Sequence, residues 1–243
     1  LRVLPSPSPH PSHPFKASPN SCHHTKDEIF LYNRNMNPLI SETMYWIIFA
    51  IPSILIASTV HEYAHAITAV KLGDPTPKAH GRLTLNPLAH IDPIGAISMI
   101  ILRFGWSKPV PINPRNFDNE RLGIALTSLA GPVSNILLLL LTALVNHIFK
   151  PYISGLFFTF LLTFAMVNLV LAIFNLIPIP PLDGHKIVGS ILPKKLAYYW
   201  DNLEKYYIPL ILILVLPIFK SGSIASFLIG TLSSKILLLL GFF

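Results

Sequence analysis

Between Leu156 and about Ile177 the sequence carries no charged side chain, and the stretches Met44 to about Val70 and Leu122 to Phe149 are almost as apolar. Each is long enough to cross the ~30 Å hydrocarbon core of a bilayer, for which about twenty helical residues suffice. Lys150-Pro151 offers only a short turn between the second and third, which makes them a helical hairpin. Two more apolar stretches, Ile208 to Phe219 and Ile224 to Phe243, raise the expected total to about five transmembrane segments; the former is short, and the latter carries Lys235 near its middle. With 52% hydrophobic and 12% charged residues, the chain reads as an all-α polytopic membrane protein.

A net charge of +7 in a soluble chain would suggest nucleic acid. Here Lys and Arg sit in loops between apolar segments, where they set orientation, so no nucleic-acid partner is expected. Lys71, Lys78, Arg82, Arg103, Lys108, Arg115 and Arg121 follow the first span, Lys186, Lys194, Lys195 and Lys205 follow the third, and Lys150 and Lys220 stand nearly alone on the other side. The positive-inside tendency places the basic loops in the cytoplasm, with the lipid bilayer, most simply the cell membrane, around the spans. Residues 1–35 are rich in Pro, Ser and His and are expected to be disordered, which leaves 36–243 as the domain and makes Met36 a candidate start. Within that domain the core is expected at about 44–192 and C-terminal helices at about 196–243. Cys22 is the only cysteine, so histidine and carboxylate must supply any metal ligands.

The first long loop has its own pattern. Gly73-Asp74-Pro75 ends a helix, Gly81-Arg82-Leu83-Thr84-Leu85-Asn86-Pro87 alternates like a short strand, and Ile94 to about Leu102 is apolar yet too short to cross. A short β-like element followed by a re-entrant or interfacial segment is the expectation. Lys108-Pro109-Val110-Pro111-Ile112-Asn113-Pro114 reads as irregular or polyproline-like chain. Ala130-Gly131-Pro132 and Ser134-Asn135 place small residues where another helix can approach, a packing role rather than a catalytic one.

Inside the first span lies His61-Glu62-Tyr63-Ala64-His65. Histidines four apart share one face of a helix, where two neutral imidazole nitrogens can hold one Zn²⁺, with the glutamate beside the water such an ion activates. A polar patch between packed helices is the bland alternative. A catalytic zinc usually takes three protein ligands, and the best distant carboxylate is Asp183 in Asn175-Leu176-Ile177-Pro178-Ile179-Pro180-Pro181-Leu182-Asp183-Gly184. The prolines cannot sustain a helix there, and irregular backbone at membrane depth implies a cavity or a protein cover.

From Met44 to Leu192 the chain resembles the site-2 protease family of intramembrane metalloproteases, in its compact form without a PDZ domain. The resemblance rests on His61-Glu62-x-x-His65, the stretch from Gly81-Arg82-Leu83-Thr84-Leu85-Asn86-Pro87 to His90-Ile91-Asp92-Pro93, Trp106-Ser107-Lys108-Pro109-Val110-Pro111, Ala130-Gly131-Pro132, and Asn175 through Gly184. It implies a three-helix catalytic core, one zinc per chain held by His61, His65 and Asp183, Glu62 as catalytic base, and Asn175 binding the substrate carbonyl or its oxyanion. The substrate would be a transmembrane protein or peptide, cut in or near a helix in regulated intramembrane proteolysis. Where the family has a second glycine after Leu-Asp-Gly, this chain has His185, an alternative ligand on spacing alone.

A substrate helix must unwind before its carbonyl reaches the metal, and the strand-like Leu83 to Asn86 could offer it an edge. The competing expectation for that stretch is a loop that seals the cavity. His90 and Asp92 are expected to cap or brace a helix rather than support the metal, and His80 and His147 to lie at the surface or at an interface. Tyr198, Tyr199 and Trp200 most simply anchor the membrane interface. The competing function is a non-proteolytic membrane protein that binds or transports metal, which would favour ligands spread along a continuous path.

Overall fold

The computed structural model describes residues 38–102, 105–153, 155–216 and 223–242. The chain divides into two units, Leu1–Ser41 and Glu42–Phe243. The expected disordered tail lies outside the described residues.

Helix α1 (Pro38–Tyr45) runs through a π-helical turn at Trp46–Ala50 into α2 (Ile51–Lys71). It stops where Gly73 takes φ +104°, a left-handed conformation that glycine adopts freely. The Gly73 N–H donates to Val70 O at 3.2 Å and the Asp74 N–H to Ala69 O at 3.0 Å, closing the last turn. After the short α3 (Thr76–Ala79) comes α4 (Pro93–Leu102), whose first turn is capped by Asp92 accepting from the Gly95 N–H at 2.8 Å. Helix α5 (Glu120–Phe149) begins at Asn119, whose side chain accepts from the Leu122 N–H, and α6 (Gly155–Asn175) returns beside it. Then follow α7 (Asp183–Ile191), α8 (Lys194–Asp201), α9 (Tyr207–Val215) and α10 (Ile224–Leu239).

Three helices, Glu42–Lys71, Glu120–Phe149 and Gly155–Asn175, are long and apolar enough to cross a membrane, in keeping with a three-helix core. The stretch expected as a span at Ile208 to Phe219 yields α9, nine residues long, and the one at Ile224 to Phe243 yields α10, sixteen residues long. At 1.5 Å per residue they reach about 14 and 24 Å, short of the ~30 Å core. Span-length helices among the described residues therefore number three.

The strand expected at 83–86 does not form, and the described residues contain only an isolated antiparallel bridge, Ile91 to Ser107. Alternation alone does not make a strand without a partner. Local bonds hold this stretch instead: Thr84 Oγ1 accepts from the Asn86 N–H, Asn86 Oδ1 from the Leu88 N–H, and Thr84 O from His90 Nε2 at 2.8 Å. Buried Arg82 donates to Ala89 O across the same loop.

Helix α5 is central and packs against α2, α6 and α7. Toward its C-terminal end Leu139 and Ala143 meet Leu161, Ala165 and Leu169 of α6 and Leu237 and Phe242 of the chain end. A second cluster joins Leu182 to Leu214, Ala225 and Ile229, so α9 and α10 back the turn just before Asp183. These clusters contain no charged side chain, although Thr142, Asn146, Thr163 and Ser233 are buried along the same helices.

A strap from Ser107 to Asn116 returns across α2. One end is held by the Ile91–Ser107 bridge and by the Lys108 N–H donating to His90 O at 2.8 Å. Asp74 holds the other end: its carboxylate accepts from the Asn113 N–H at 2.8 Å, Asn116 Nδ2 at 2.7 Å and the Thr76 N–H at 3.0 Å. Burial alone would raise the Asp74 pKa, but the bonds from Thr76, Asn113 and Asn116 outweigh it and hold the carboxyl below its ordinary value. A depressed folded-state pKa contributes stability above the ordinary carboxylate range, and that contribution disappears as pH falls through the lowered value. We predict that Asp74→Asn makes residues 107–116 more susceptible to proteolytic nicking at neutral pH. In the native chain the same susceptibility should rise only on acidification below about pH 4, as read by peptide mapping across a pH series.

Candidate metal centre

His61 and His65 lie one turn apart on α2 and both are buried. Their Nε2 atoms are 3.0 Å apart, and Asp183 Oδ2 lies 3.2 Å from each. For comparison, ligand atoms at the corners of a tetrahedral zinc site with ~2.0–2.1 Å bonds are about 3.3–3.4 Å apart. Among the described residues this is the one group of His, Cys, Asp and Glu whose ligand atoms could share an ion.

The other ring nitrogens show which atoms are free to bind. His65 Nδ1 lies 2.7 Å from Thr127 O and His61 Nδ1 2.7 Å from Asn135 Oδ1. Both partners are oxygens that can only accept, so in the neutral rings Nδ1 carries the hydrogen and Nε2 is a bare lone pair. Asp183 Oδ2 is buried with no hydrogen-bond donor. Three electron pairs thus face one point, an arrangement that repels itself unless a cation lies between them. The residues fit a divalent metal, and His61, His65 and Asp183 are positioned to bind it.

Asp183 reaches the site because the chain breaks after α6. Pro178, Pro180 and Pro181 prevent the helix from continuing, and α7 starts at Asp183 itself. Its carboxylate therefore lies at a helix N-terminus, which favours negative charge. Lys186 Nζ approaches the other carboxylate oxygen at 4.0 Å. The turn is tight: a Cβ on Gly184 would lie 2.3 Å from Leu176 O.

Across from the histidines, Gly131 of α5 brings its backbone so close that a Cβ would sit 2.5 Å from His65 Nε2 and 2.6 Å from His61 Cε1. Close packing was the expected role of Ala130-Gly131-Pro132, and here the packed surface is the metal site. Asn135 exceeds that expectation, since it holds an imidazole rather than merely making room.

Glu62 is buried beside the cluster. Its Oε1 accepts from Ser107 Oγ at 2.6 Å and its Oε2 from the Val110 N–H at 3.3 Å, both on the strap. A cleft of about 470 Å³, part of it open to the surroundings, is lined by the three ligand residues, Glu62, Pro109, Val110, Ile112, Ser128, Asn175, Pro181 and Lys186. Asn175 is thus on the cleft, with Nδ2 donating to Leu171 O one turn back.

His185 is not among the converging ligands. Its ring stacks on Trp200 at 5.1 Å and 15°, and Trp200 Nε1 donates to its carbonyl at 2.9 Å. Burial pushes this imidazole below its ordinary pKa despite Glu204 and Asp201 nearby. Trp200 is engaged by this stack, while Tyr198 and Tyr199 are exposed. His80 and His147 are exposed, and Asp92 caps α4 as expected. Sequence reasoning did not single out Thr127 or Asn168, and it gave Ser107 and Val110 no role beyond membership of the Trp106 to Pro111 motif. Asn168 carried a signal, a polar amide in an otherwise apolar span, whereas no spacing rule links Ser107 to Glu62.

Residues 147–218 match the model of peptidase family M50, a range that includes Asn175 and Asp183 but not the two histidines. "Putative zinc metalloprotease YwhC" of Bacillus subtilis is 40% identical over 177 residues, covering 68% of this chain and 80% of that protein. The chain belongs to peptidase family M50, the site-2 proteases. Within the family it is also similar to "Putative zinc metalloprotease Rip2" of Mycobacterium tuberculosis, 32% identical over 54% of this chain and 52% of Rip2. "Zinc metalloprotease MJ0392" of Methanocaldococcus jannaschii is 27% identical over 83% of this chain and 48% of its own length. The chain spans about half the length of these last two. No solved structure matches it.

Because Gly131 has no room for a methyl group, Gly131→Ala should displace the imidazoles. We predict zinc content falling well below one ion per chain in metal analysis, with helix content by circular dichroism unchanged.

Proposed function

We propose that this M50 metalloprotease hydrolyses peptide bonds in or near transmembrane helices of membrane-protein substrates, in regulated intramembrane proteolysis. The observation that carries the reading is Glu62, buried in one cleft with the His61–His65–Asp183 cluster, on a helix of membrane-spanning length. Zinc bound there would acidify a water and polarise the scissile carbonyl.

The chain's own residues supply the rest. Glu62 takes the proton from the attacking water and later returns it to the leaving amine. Ser107 Oγ and the Val110 N–H keep its carboxylate aimed into the cleft. A side-chain amide has two N–H donors; Leu171 O takes one of Asn175's, and the other is offered to the substrate carbonyl as negative charge develops on it. Pro109, Val110 and Ile112 form a wall against which an unwound substrate segment lies, shielded from lipid.

Exposed and basic residues support a setting in the bilayer. Ile94, Ile97, Ile100 and Ile101 of α4 are 58–73% exposed, which supports an α4 that lies within or along the lipid as a re-entrant or interfacial helix. The basic loops flanking the site support a multi-pass protein of the cell membrane whose active site faces the cytoplasm. The metal-transport alternative lacks support, because the candidate ligands among the described residues form one cluster rather than a path.

Purified protein reconstituted with a model transmembrane substrate tests the function. Cleavage should stop on chelation and return with zinc, and Glu62→Gln should bind metal normally yet not cut. Turnover by Glu62→Gln would refute the role of Glu62, and failure of the native chain to cut any membrane substrate would refute the function. Ser107→Ala removes a bond to a charged acceptor worth about 1.5 kcal/mol or more, so kcat should fall roughly ten-fold with KM nearly unchanged, as read from progress curves.

A further inference from the structure

Behind His61 lies a polar chain that crosses all three long helices. Asn135 of α5 and Asn168 of α6 are both 0% exposed. Asn135 Nδ2 donates to Ala57 O of α2 at 3.2 Å and to Asn168 Oδ1 at 3.0 Å, while its Oδ1 meets His61 Nδ1 at 2.7 Å. Asn168 Nδ2 in turn donates to Phe164 O at 2.8 Å.

We propose that Asn135 is a positioning residue for the metal, and that Asn168 locks it in the orientation this requires. The chemistry of the partners decides which way the amide points. Rotated by half a turn, Asn135 would set its oxygen against Ala57 O and Asn168 Oδ1 and its NH₂ against His61 Nδ1–H, so three favourable bonds would become three repulsions. Asn168 cannot rotate in compensation, because its own NH₂ is held by Phe164 O. The fixed acceptor keeps the hydrogen of His61 on Nδ1 and its Nε2 lone pair on the point shared with His65 and Asp183.

The two imidazoles are therefore oriented differently. His65 is held by the backbone carbonyl of Thr127, and Thr127 belongs to the same helix turn that packs on the site. His61 is held by a side chain whose own orientation depends on α6. Metal affinity is in this way coupled to the packing of a helix that contributes no ligand. The inference rests on the metal site and not on the identity of any substrate, so its test reads zinc binding rather than cleavage.

The experiment measures zinc affinity by chelator competition on the purified full chain in detergent, alongside the helix content and thermal midpoint of the metal-free protein. Asn135→Leu keeps approximate volume and removes the acceptor, and loss of such a partner typically weakens metal affinity by about 10–100-fold. Asn168→Leu frees Asn135 to rotate and should weaken affinity in the same direction, by less. The control is Asn146→Leu, which removes another buried amide of α5, one that donates to Gly241 O rather than to the site; it should bind zinc as the native chain does. Native affinity in Asn135→Leu overturns the proposal, as does an equal loss in all three variants. If Asn135→Leu does not fold, Asn168→Leu decides alone: weakened binding supports the proposal and unchanged binding overturns it.

Discussion

Three lone pairs converge on one point between α2, α5 and α7, and the rest of this structure is arranged to hold them there. Left alone, His61 Nε2, His65 Nε2 and Asp183 Oδ2 at separations of 3.0–3.2 Å would repel. What opposes that repulsion is rigidity: a glycine that allows α5 against the rings, two acceptors that fix the imidazole hydrogens, and a helix start that fixes the carboxylate. A cation turns the repulsion into attraction, so metal binding and helix packing reinforce each other.

The bilayer explains why the polar groups are so closely paired. Water cannot satisfy a stray N–H or carboxylate within the hydrocarbon, which favours a protein partner for a polar side chain at that level. Glu62, Asn135 and Asn168 find such partners through the strap and through one another. The apolar clusters at the other end of α5 and α6, and behind Leu182, supply the packing that keeps this half in place.

Much of the site was legible in the chain. His61, Glu62 and His65 are local, because a helical repeat of 3.6 residues decides which positions share a face. Asp183 was reachable because prolines in an apolar stretch mark broken backbone, and broken backbone beside a carboxylate marks a cavity. The strand at 83–86 was misread for the opposite reason: alternation is local, whereas a strand exists only through a partner, and Thr84, Asn86 and His90 bond among themselves instead. Among the described residues three helices reach span length, and apolar composition alone does not fix where a helix stops.

The sequence by itself determined the solvent, the number of long helices in the core, and the residue types able to hold a metal, since length, hydropathy and helical spacing act within a segment. Only the tertiary structure decided which nitrogen of each histidine faces the ion, that Ser107 and Val110 address Glu62, and that His185 turns to Trp200 rather than to the metal. Those choices depend on contacts between residues tens of positions apart, and hydrogen-bond direction is set by the partner that arrives, not by the residue that waits for it.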